Sequence, residues 1–598
     1  MSGRVRPRGG VKQQQFRNWP EISMSERLGN ELPLASAPPS SDDLPMPNVA
    51  GFLRRLAKEI PDRRAVVAPS GRDRAGHATY NLLTFKQLEN ESDRCAAGLY
   101  QIGIGKGTKC LLMVRPGTDF FVLMFALFKL GALPILIDPG MKKKWLLSCI
   151  AEVEAEAMIG VPLAHLFRCL VRRPFRSVRL HVTAGRRWFW GGETLGSICA
   201  HEPRGLPPPD IRPDDPAAIL FTSGSTGAPK GVVYRHRMFV EQVHALQSHY
   251  RFRTNEIDLS TFLPFALFSV ALGMTVVLPE LDFARPASVN PQTIVEAIVN
   301  HATTSSFGSP ALWDRLGRYC AAKGIVLPTL KRVIMTGAPV TPRIVEKLRL
   351  ALAPDAVIHI PYGATEALPV ASITDAEILG DTAAQSRRGA GTCVGLPLPA
   401  MDVRVVVSTD APIPIWDPSI VVPSGEIGEI VVRGPVVTHE YFRRDRDTQL
   451  AKIADGGSIW HRMGDLGYFD LRGRIWFCGR KSDRVVTAAG TLYSDCCEAV
   501  FNEHPAVRRS ALVGVGVAPS QHSVIVVELE PEAAPKVRVD SHQLIKELRR
   551  IAQSYDHTKD IQHFLVHPRF PVDARHNVKI NRHTLAHWAS EQLKCGQL

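Results

Sequence analysis

The sequence predicts an α/β protein with a large N-terminal domain and a small α+β C-terminal domain. Three observations carry this expectation. From Asn48 to about Pro286, short apolar runs alternate with amphipathic segments, the pattern of parallel strands covered by helices. From Met401 to Phe477 the pattern changes to short alternating strands, as in a small antiparallel unit. After Gly479 come two strands and an amphipathic helix, which places a domain boundary near Arg480. The divisions are thus an arm over 1–45, a main domain over 46–479 and a C-terminal domain over 480–598. With 598 residues, 45% of them hydrophobic, the chain can bury a large core.

The elements follow in order. FLRRLAKEI reads as a helix, AVVA as a strand, TFKQLENESDRCAAGLYQIG as a helix, KCLLMV as a strand, FFVLMFALFKLG as a helix and LPILI as a strand. Between Pro162 and Pro216 the composition turns to Arg, Pro and Trp, which suggests an irregular insertion or surface excursion. ALWDRLGRYC, KRVIMTG, IVEKLRLAL and AVIHIPYG resume the alternation; VRVVV, EIVVR and IWFCG form the antiparallel unit; ALVGVG, SVIVVELE and SHQLIKELRRIAQSY form the last domain. Thr261 to Pro279 carries no charge and approaches the ~20 residues that span a bilayer. Pro264, Gly273 and Pro279 interrupt it, so a buried helix followed by a strand is expected there.

Net charge is +14, with basic clusters at Arg4 to Arg17, Lys142 to Lys144 and Arg168 to Arg187. Such a balance suits nucleotide phosphates, an anionic membrane surface or nucleic acid, although any one cluster also reads as a solvated face. No nucleic-acid-binding module is recognisable, so no nucleic-acid partner is expected. The eleven cysteines show no CxxC and no zinc spacing; only Cys496 and Cys497 are adjacent. The first 45 residues are basic, then rich in Pro and Ser, without the apolar core of a secretory signal; a disordered arm on a cytoplasmic protein is expected.

The stretch AAILFTSGSTGAPKGVVYRHR, 217 to 237, joins a strand, Ala217 to Phe221, to a helix, Met238 to His249. Gly224, Gly227 and Gly231 let the backbone approach a ligand and turn N–H groups toward it. Thr222, Ser223, Ser225 and Thr226 add hydroxyl donors, and Lys230 adds a charge. A polyphosphate suits such a loop. It is no Walker loop, because Lys230 follows Pro229 and is followed by Gly231 instead of a hydroxyl. Composition alone leaves phosphate binding and a plain linker equally open.

Four further stretches have nucleotide-site chemistry. PYGATEALPV offers Tyr362 as an aromatic face, Gly363 for a tight turn, the Thr365 hydroxyl and the Glu366 carboxylate, a group suited to magnesium beside phosphates. HRMGDLGYFD supplies Asp465 for ribose hydroxyls, GRKSDRVV supplies Arg480, and ARHNVKI supplies Lys579 near the C-terminus. Each alone also reads as a turn or a solvated charge.

Together, in this order and spacing, these motifs resemble the adenylate-forming superfamily of acyl-CoA synthetases, peptide-synthetase adenylation domains and luciferases, over about residues 48 to 590. The resemblance implies two α/β subdomains plus a small β-barrel, followed by a mobile C-terminal domain, with ATP and Mg2+ as cofactors. Thr222 to Lys230 would be the phosphate loop, including Ser223, Gly224, Ser225, Thr226 and Gly227. Gly337, Ala338, Pro339 and Tyr362 would line the adenine, with Gly363 beside it. Thr365 and Glu366 would hold phosphate and Mg2+, and Asp465 and Arg480 would bind ribose. Lys579 would stabilise the charge that develops as a carboxylate attacks the α-phosphorus, with Glu366 the second catalytic group.

Departures from the superfamily narrow the choice. The hinge position two after Arg480 is Ser482, the usual PLFHxxG is LPFALFSVALG without His, and the usual YRTGD is HRMGD. The whole set resembles most closely the β-lactone synthetases of bacterial long-chain olefin biosynthesis. That implies adenylation of a 2-alkyl-3-hydroxyalkanoic acid, then attack by its own β-hydroxyl to give a β-lactone, with a thiolase-like enzyme, a reductase and an α/β hydrolase as pathway partners. A long-chain fatty acyl-CoA ligase or fatty acyl-AMP ligase is the alternative. Phe262, Phe265, Leu267 and Phe268 suit an acyl pocket and suit plain core packing equally. His461 and His576 are the nearest groups to accept the hydroxyl proton, but read more simply as core or surface histidines. RRWFW, 186 to 190, suits peripheral association with a membrane or with partner enzymes.

Overall fold

A computed structural model describes residues 47–138, 140–200, 210–222, 228–531, 533, 541–572 and 580–594. The arm expected over 1–45 lies outside them.

Two large sheets form the body. The first has seven strands, in the spatial order Glu193–Thr194, Leu180–Thr183, Ala157–Gly160, Lys109–Met113, Leu133–Leu136, Pro216–Phe221 and Gly231–Arg235. All neighbours in it are parallel except the last pair. The second, of fourteen strands, has a parallel centre of Arg332–Met335, Ser305–Gly308, Ile257–Ser260, Thr275–Val277 and Arg64–Arg72. It continues through Val357–Ala364, Ala367–Thr374 and Thr392–Pro397 into the antiparallel strands Ile475–Arg480, Ser458–Phe469, Gly428–Arg433 and Asp402–Val406. The antiparallel unit expected over 401–477 is therefore hydrogen-bonded into the larger sheet.

Two sequence expectations need correction. The described residues 162–200 are no irregular excursion: strand Leu180–Thr183, preceded by helix Pro162–Leu170, extends the first sheet, because Val182 and Thr183 supply a buried edge among the arginines. The glycine-rich loop does not lead straight into a helix. Gly231–Arg235 pairs antiparallel with Pro216–Phe221, so the loop tips a hairpin, and the helix His236–Tyr250 begins only after it.

Thr261 to Pro279 folds as helix Leu263–Ala271, buried between the sheets, and strand Thr275–Val277 of the second sheet. Among the described residues no helix is long and apolar enough to cross a membrane. Helix Thr118–Leu130 is apolar nearly all round and packs in the same core; its one basic side chain, Lys129, is buried and ion-paired with Glu89 and Asp93, each at 2.8 Å. After Arg480 a three-stranded sheet forms from Val507–Val515, His522–Leu529 and His563–Val566. Alternation along these strands gives it two apolar faces. One is covered by Phe501, Leu544 and Leu548 from helices Ser494–Phe501 and Ser541–Gln553, the other by Leu585 and Ala589 from helix Arg582–Lys594.

Candidate active site

A cavity of about 900 Å³ runs along the ends of both sheets. One end is apolar, lined by Met124, Phe128, Phe239, Phe265, Phe268 and Phe307. The other is polar, lined by Thr222, Lys230, Thr365, Glu366, Asp447 and Arg480. All four residues expected to suit an acyl pocket, Phe262, Phe265, Leu267 and Phe268, lie in its wall.

The described ends of the glycine-rich loop are tied together. The Thr222 N–H donates to the Lys230 carbonyl at 3.0 Å, and the Lys230 N–H donates to Thr222 Oγ1 at 3.1 Å. The Lys230 ammonium lies 2.8 Å from the Asp447 carboxylate and 5.0 Å from the centre of the Tyr441 ring. Ser223, Gly224, Ser225, Thr226 and Gly227 lie outside the described residues, as does Lys579.

Thr365 and Glu366 form the two-residue tip of the hairpin between Val357–Ala364 and Ala367–Thr374. Gly363 permits this approach, because a Cβ there would sit 2.6 Å from the Ala367 carbonyl oxygen. The tip is braced on both sides. Tyr234 Oη donates to the Thr365 carbonyl at 2.5 Å, and the Thr438 N–H donates to the Glu366 carbonyl at 2.9 Å. Tyr441 Oη donates to Glu366 Oε1 at 2.6 Å, and burial together with that carboxylate raises the Tyr441 phenol well above its ordinary value. Glu366 Oε2 has no protein partner among the described residues, which leaves one carboxylate oxygen facing the polar end.

Asp465 and Arg480 are direct cross-strand partners. Arg480 Nη1 donates to Asp465 Oδ1 at 2.7 Å and to the Met463 carbonyl at 3.0 Å. Tyr362 Oη donates to Asp465 Oδ2 at 2.6 Å. Burial and the adjacent Asp465 carboxylate push the Tyr362 phenol up, and Asp465 also raises the Arg480 guanidinium. The three side chains form one fixed unit, with Arg480 facing the cavity and Asp465 and Tyr362 behind it. Gly337 lines the cavity; Ala338 and Pro339 follow it on the same turn but are not part of the wall. Thr336 Oγ1 holds this turn against the Tyr362 strand by donating to the Pro361 carbonyl at 3.0 Å.

Beneath Arg480 the floor is ionic and buried. Glu429, 1% exposed at the side chain, meets Arg462 at 2.6 Å and Lys481 at 3.0 Å. His461 is also buried; its Nδ1 lies 3.2 Å from the Ala451 carbonyl oxygen, and burial and the neighbouring Lys452 drive its pKa far down. Lys452 is itself lowered to about 7 by burial. His461 thus contributes a neutral ring to the cavity wall.

Sequence reasoning missed Tyr234, Gln242, Tyr441 and Asp447, all of which line the cavity. Tyr234 lies in the strand after the glycine-rich loop, the other three belong to no phosphate-type motif, and their partners lie far away along the chain: 131 residues separate Tyr234 from Thr365, and 75 separate Tyr441 from Glu366.

The sequence model of the AMP-binding enzyme family matches residues 53–442. The olefin beta-lactone synthetase of Xanthomonas campestris pv. campestris is 47% identical over 552 residues, 91% of this chain and 98% of that protein. Among solved structures, the amide bond synthetase McbA from Marinactinospora thermotolerans matches with a TM-score of 0.72 at 24% identity, over 90% of this chain and 99% of that one. The O-succinylbenzoate coenzyme A synthetase from Bacillus subtilis, solved with ATP and a magnesium ion, matches with a TM-score of 0.69 at 19% identity, over 89% of this chain and 98% of that one. Both share the fold described above.

Proposed function

From the premise that the chain belongs to the AMP-binding enzyme family, we propose that it is an ATP-dependent β-lactone synthetase acting on 2-alkyl-3-hydroxyalkanoic acids. The observation that carries the proposal is the continuity of one cavity from an apolar chamber to a polar end with a phosphate-loop lysine, a free carboxylate oxygen and an arginine–aspartate unit. A lipophilic acid placed in the chamber would present its carboxylate to a nucleotide at the polar end. The relative at 47% identity bears that activity in its name.

In the first step a carboxylate oxygen attacks the α-phosphorus of ATP, and the bond to the β-phosphate breaks, releasing pyrophosphate. Lys230 and the loop hydroxyls would hold the phosphates, Arg480 the ribose with Asp465 fixing its guanidinium from behind, and Gly337 the adenine, while direct contacts of Asp465 with the ribose and of Tyr362 with the adenine are assigned by resemblance alone. Lys579, assigned by resemblance alone, would offset the charge at the α-phosphate. In the second step the β-hydroxyl oxygen attacks the carbonyl carbon, the bond to AMP breaks, and the hydroxyl proton passes to water. Tethering replaces a second substrate, since well-oriented intramolecular attack is equivalent to ~10⁵ M or more of a free nucleophile.

Mg2+ fits the polar end. The free Oε2 of Glu366 and the Thr365 hydroxyl are hard oxygen donors, and such a cation is commonly held by one or two carboxylates plus substrate phosphates. When bound it would neutralise phosphate charge. The pathway partners are proposed on chemistry: a condensing enzyme and a reductase to supply the hydroxy acid, and a hydrolase-fold enzyme to consume the lactone.

Incubation with ATP, Mg2+ and a racemic 2-alkyl-3-hydroxy acid, with and without coenzyme A, tests the proposal. A lactone formed without coenzyme A is the expected result. A thioester formed only with it would make the chain an acyl-CoA ligase, and a stable acyl-AMP would make it an acyl-AMP ligase.

A further inference from the structure

The edge of the seven-stranded sheet farthest from the glycine-rich hairpin carries an unusual surface. Residues 162 to 192 contain seven arginines and no Asp or Glu. Arg172, Arg173, Arg176, Arg179, Arg186 and Arg187 are exposed. Four large apolar side chains stand exposed among them: Leu163 at 61%, Leu170 at 74%, Trp188 at 48% and Phe189 at 74%.

This is a built feature. Trp190 is buried, stacks on His165 of helix Pro162–Leu170 with ring centres 5.5 Å apart, and donates its Nε1–H to Thr183 Oγ1 at 3.0 Å. The flanking Trp188 and Phe189 pack against Trp190 at 5.3 and 5.1 Å and project from that fixed base. The helix that receives Trp190 also carries Leu163 and Leu170, seven residues apart on one stripe about 200° around the helix from His165. The acidic groups at the border of this surface have partners: Glu154 meets Arg443 at 2.7 Å and Arg176 at 3.7 Å, Glu156 lies 3.9 Å from Lys109, and Glu193 accepts from Ser197 Oγ at 3.0 Å. A soluble protein gains nothing by holding Trp and Phe in water within a cationic field.

We propose that this face docks the protein on an anionic phospholipid bilayer, with Trp188 and Phe189 entering the interface and the arginines meeting lipid phosphates. Aromatic side chains partition to the headgroup region, and clustered cations near it are attracted by anionic lipid. The charge sign and the apolar tips are both needed for this occupant; a nucleic-acid duplex would use only the first. The proposal accords with the function proposed above, since a long-chain hydroxy acid resides in or beside a membrane, and it rests on that reading only for its purpose.

Cosedimentation of the full chain with vesicles tests it. Vesicles of phosphatidylcholine with phosphatidylglycerol should retain the protein and pure phosphatidylcholine should not, with retention falling as salt is raised. The double substitution Trp188→Ser with Phe189→Ser should lower the bound fraction by ~10-fold, because each buried aromatic is a large part of interfacial affinity. Lactone formation from detergent-dispersed acid should be unchanged in that variant, which also reports that it folds. Arg186→Ser with Arg187→Ser serves as the second variant, reducing binding and its salt sensitivity. Equal retention on both vesicle types, or binding untouched by loss of the aromatic pair, would overturn the proposal; DNA binding with the same salt response and no dependence on Trp188 and Phe189 would do so too. Vesicle binding without lactone formation would leave docking standing and sink the function.

Discussion

Lys230 of the glycine-rich loop pairs with Asp447, its ammonium 2.8 Å from a carboxylate 217 residues further along the chain. The two side chains retain 36% and 29% exposure, so the pair is screened and worth ~1 kcal/mol or less. It is weak enough to yield to a triphosphate and strong enough to compete with a departing pyrophosphate.

Asp447→Asn should therefore lower KM for ATP by ~2- to 5-fold, the equivalent of ~0.5–1 kcal/mol, and strengthen product inhibition by pyrophosphate in like measure. Steady-state kinetics with added pyrophosphate reads both. A raised KM would mean that Asp447 helps to hold the nucleotide, and the competition argument would fail.

Gln242 lies between the apolar and polar ends. Its Nε2 donates to the Leu368 carbonyl at 2.8 Å, which fixes the amide orientation, and its Oε1 is buried without a hydrogen-bond partner among the described residues. An unpaired buried acceptor costs ~1–3 kcal/mol, which a substrate hydroxyl brought to it would recover. Gln242→Leu should then reduce the preference for a 3-hydroxy acid over its 3-deoxy analogue by ~10-fold, the discrimination typical of a lost polar contact. The ratio of kcat/KM values in ATP–pyrophosphate exchange checks this, and an unaltered ratio would remove Gln242 from substrate selection.

The parts legible in the sequence are those fixed by local pattern. The strand before Thr222, the helix after Arg235, the buried helix within 261–279 and the strand bearing Tyr362 all follow from apolar periodicity, whereas the strand bearing Asp465 is legible only as a motif. Periodicity identifies a strand but not its sheet. Arg64–Arg72 precedes the entire first sheet in sequence yet pairs with Thr275–Val277 in the second. Composition misled over 162–200, where arginines on an outer face disguised the short buried edge at Val182 and Thr183. Within the site, motifs pointed to Glu366 and Lys230 but not to Tyr441 or Asp447, whose partnerships arise only when the two sheets come together.

Glu429 compensates two cations in the floor beneath Arg480. Its carboxylate receives Arg462 and Lys481, with side-chain exposures of 1%, 2% and 18%. Removing one member of a buried ionic group leaves the others uncompensated at ~3–5 kcal/mol. Glu429→Ala should lower stability by about that amount in urea unfolding at constant slope, and should weaken ATP binding because Lys481 adjoins Arg480. A loss below ~1 kcal/mol would mean that water reaches the two cations and the floor is not sealed.

Asp258 gives the fold a pH dependence of predictable sign. The side chain is fully buried in the parallel centre of the second sheet, accepts one hydrogen bond from Ser269 Oγ at 2.8 Å, and leaves Oδ1 without a partner. Burial raises its pKa from an ordinary 3.8 to about 7. The folded state therefore binds a proton that the unfolded state releases between these values, so stability falls as pH rises through that window, at ~1.4 kcal/mol per pH unit at most. Below it both states are protonated and the cost disappears; above it the full cost remains. Asp258→Asn, which keeps an acceptor for Ser269 and cannot ionise, should stabilise the protein at pH 8 and make little difference at pH 4. Urea unfolding of both forms across that range measures the gap, and a gap that stays constant with pH would show that Asp258 does not change its protonation on folding.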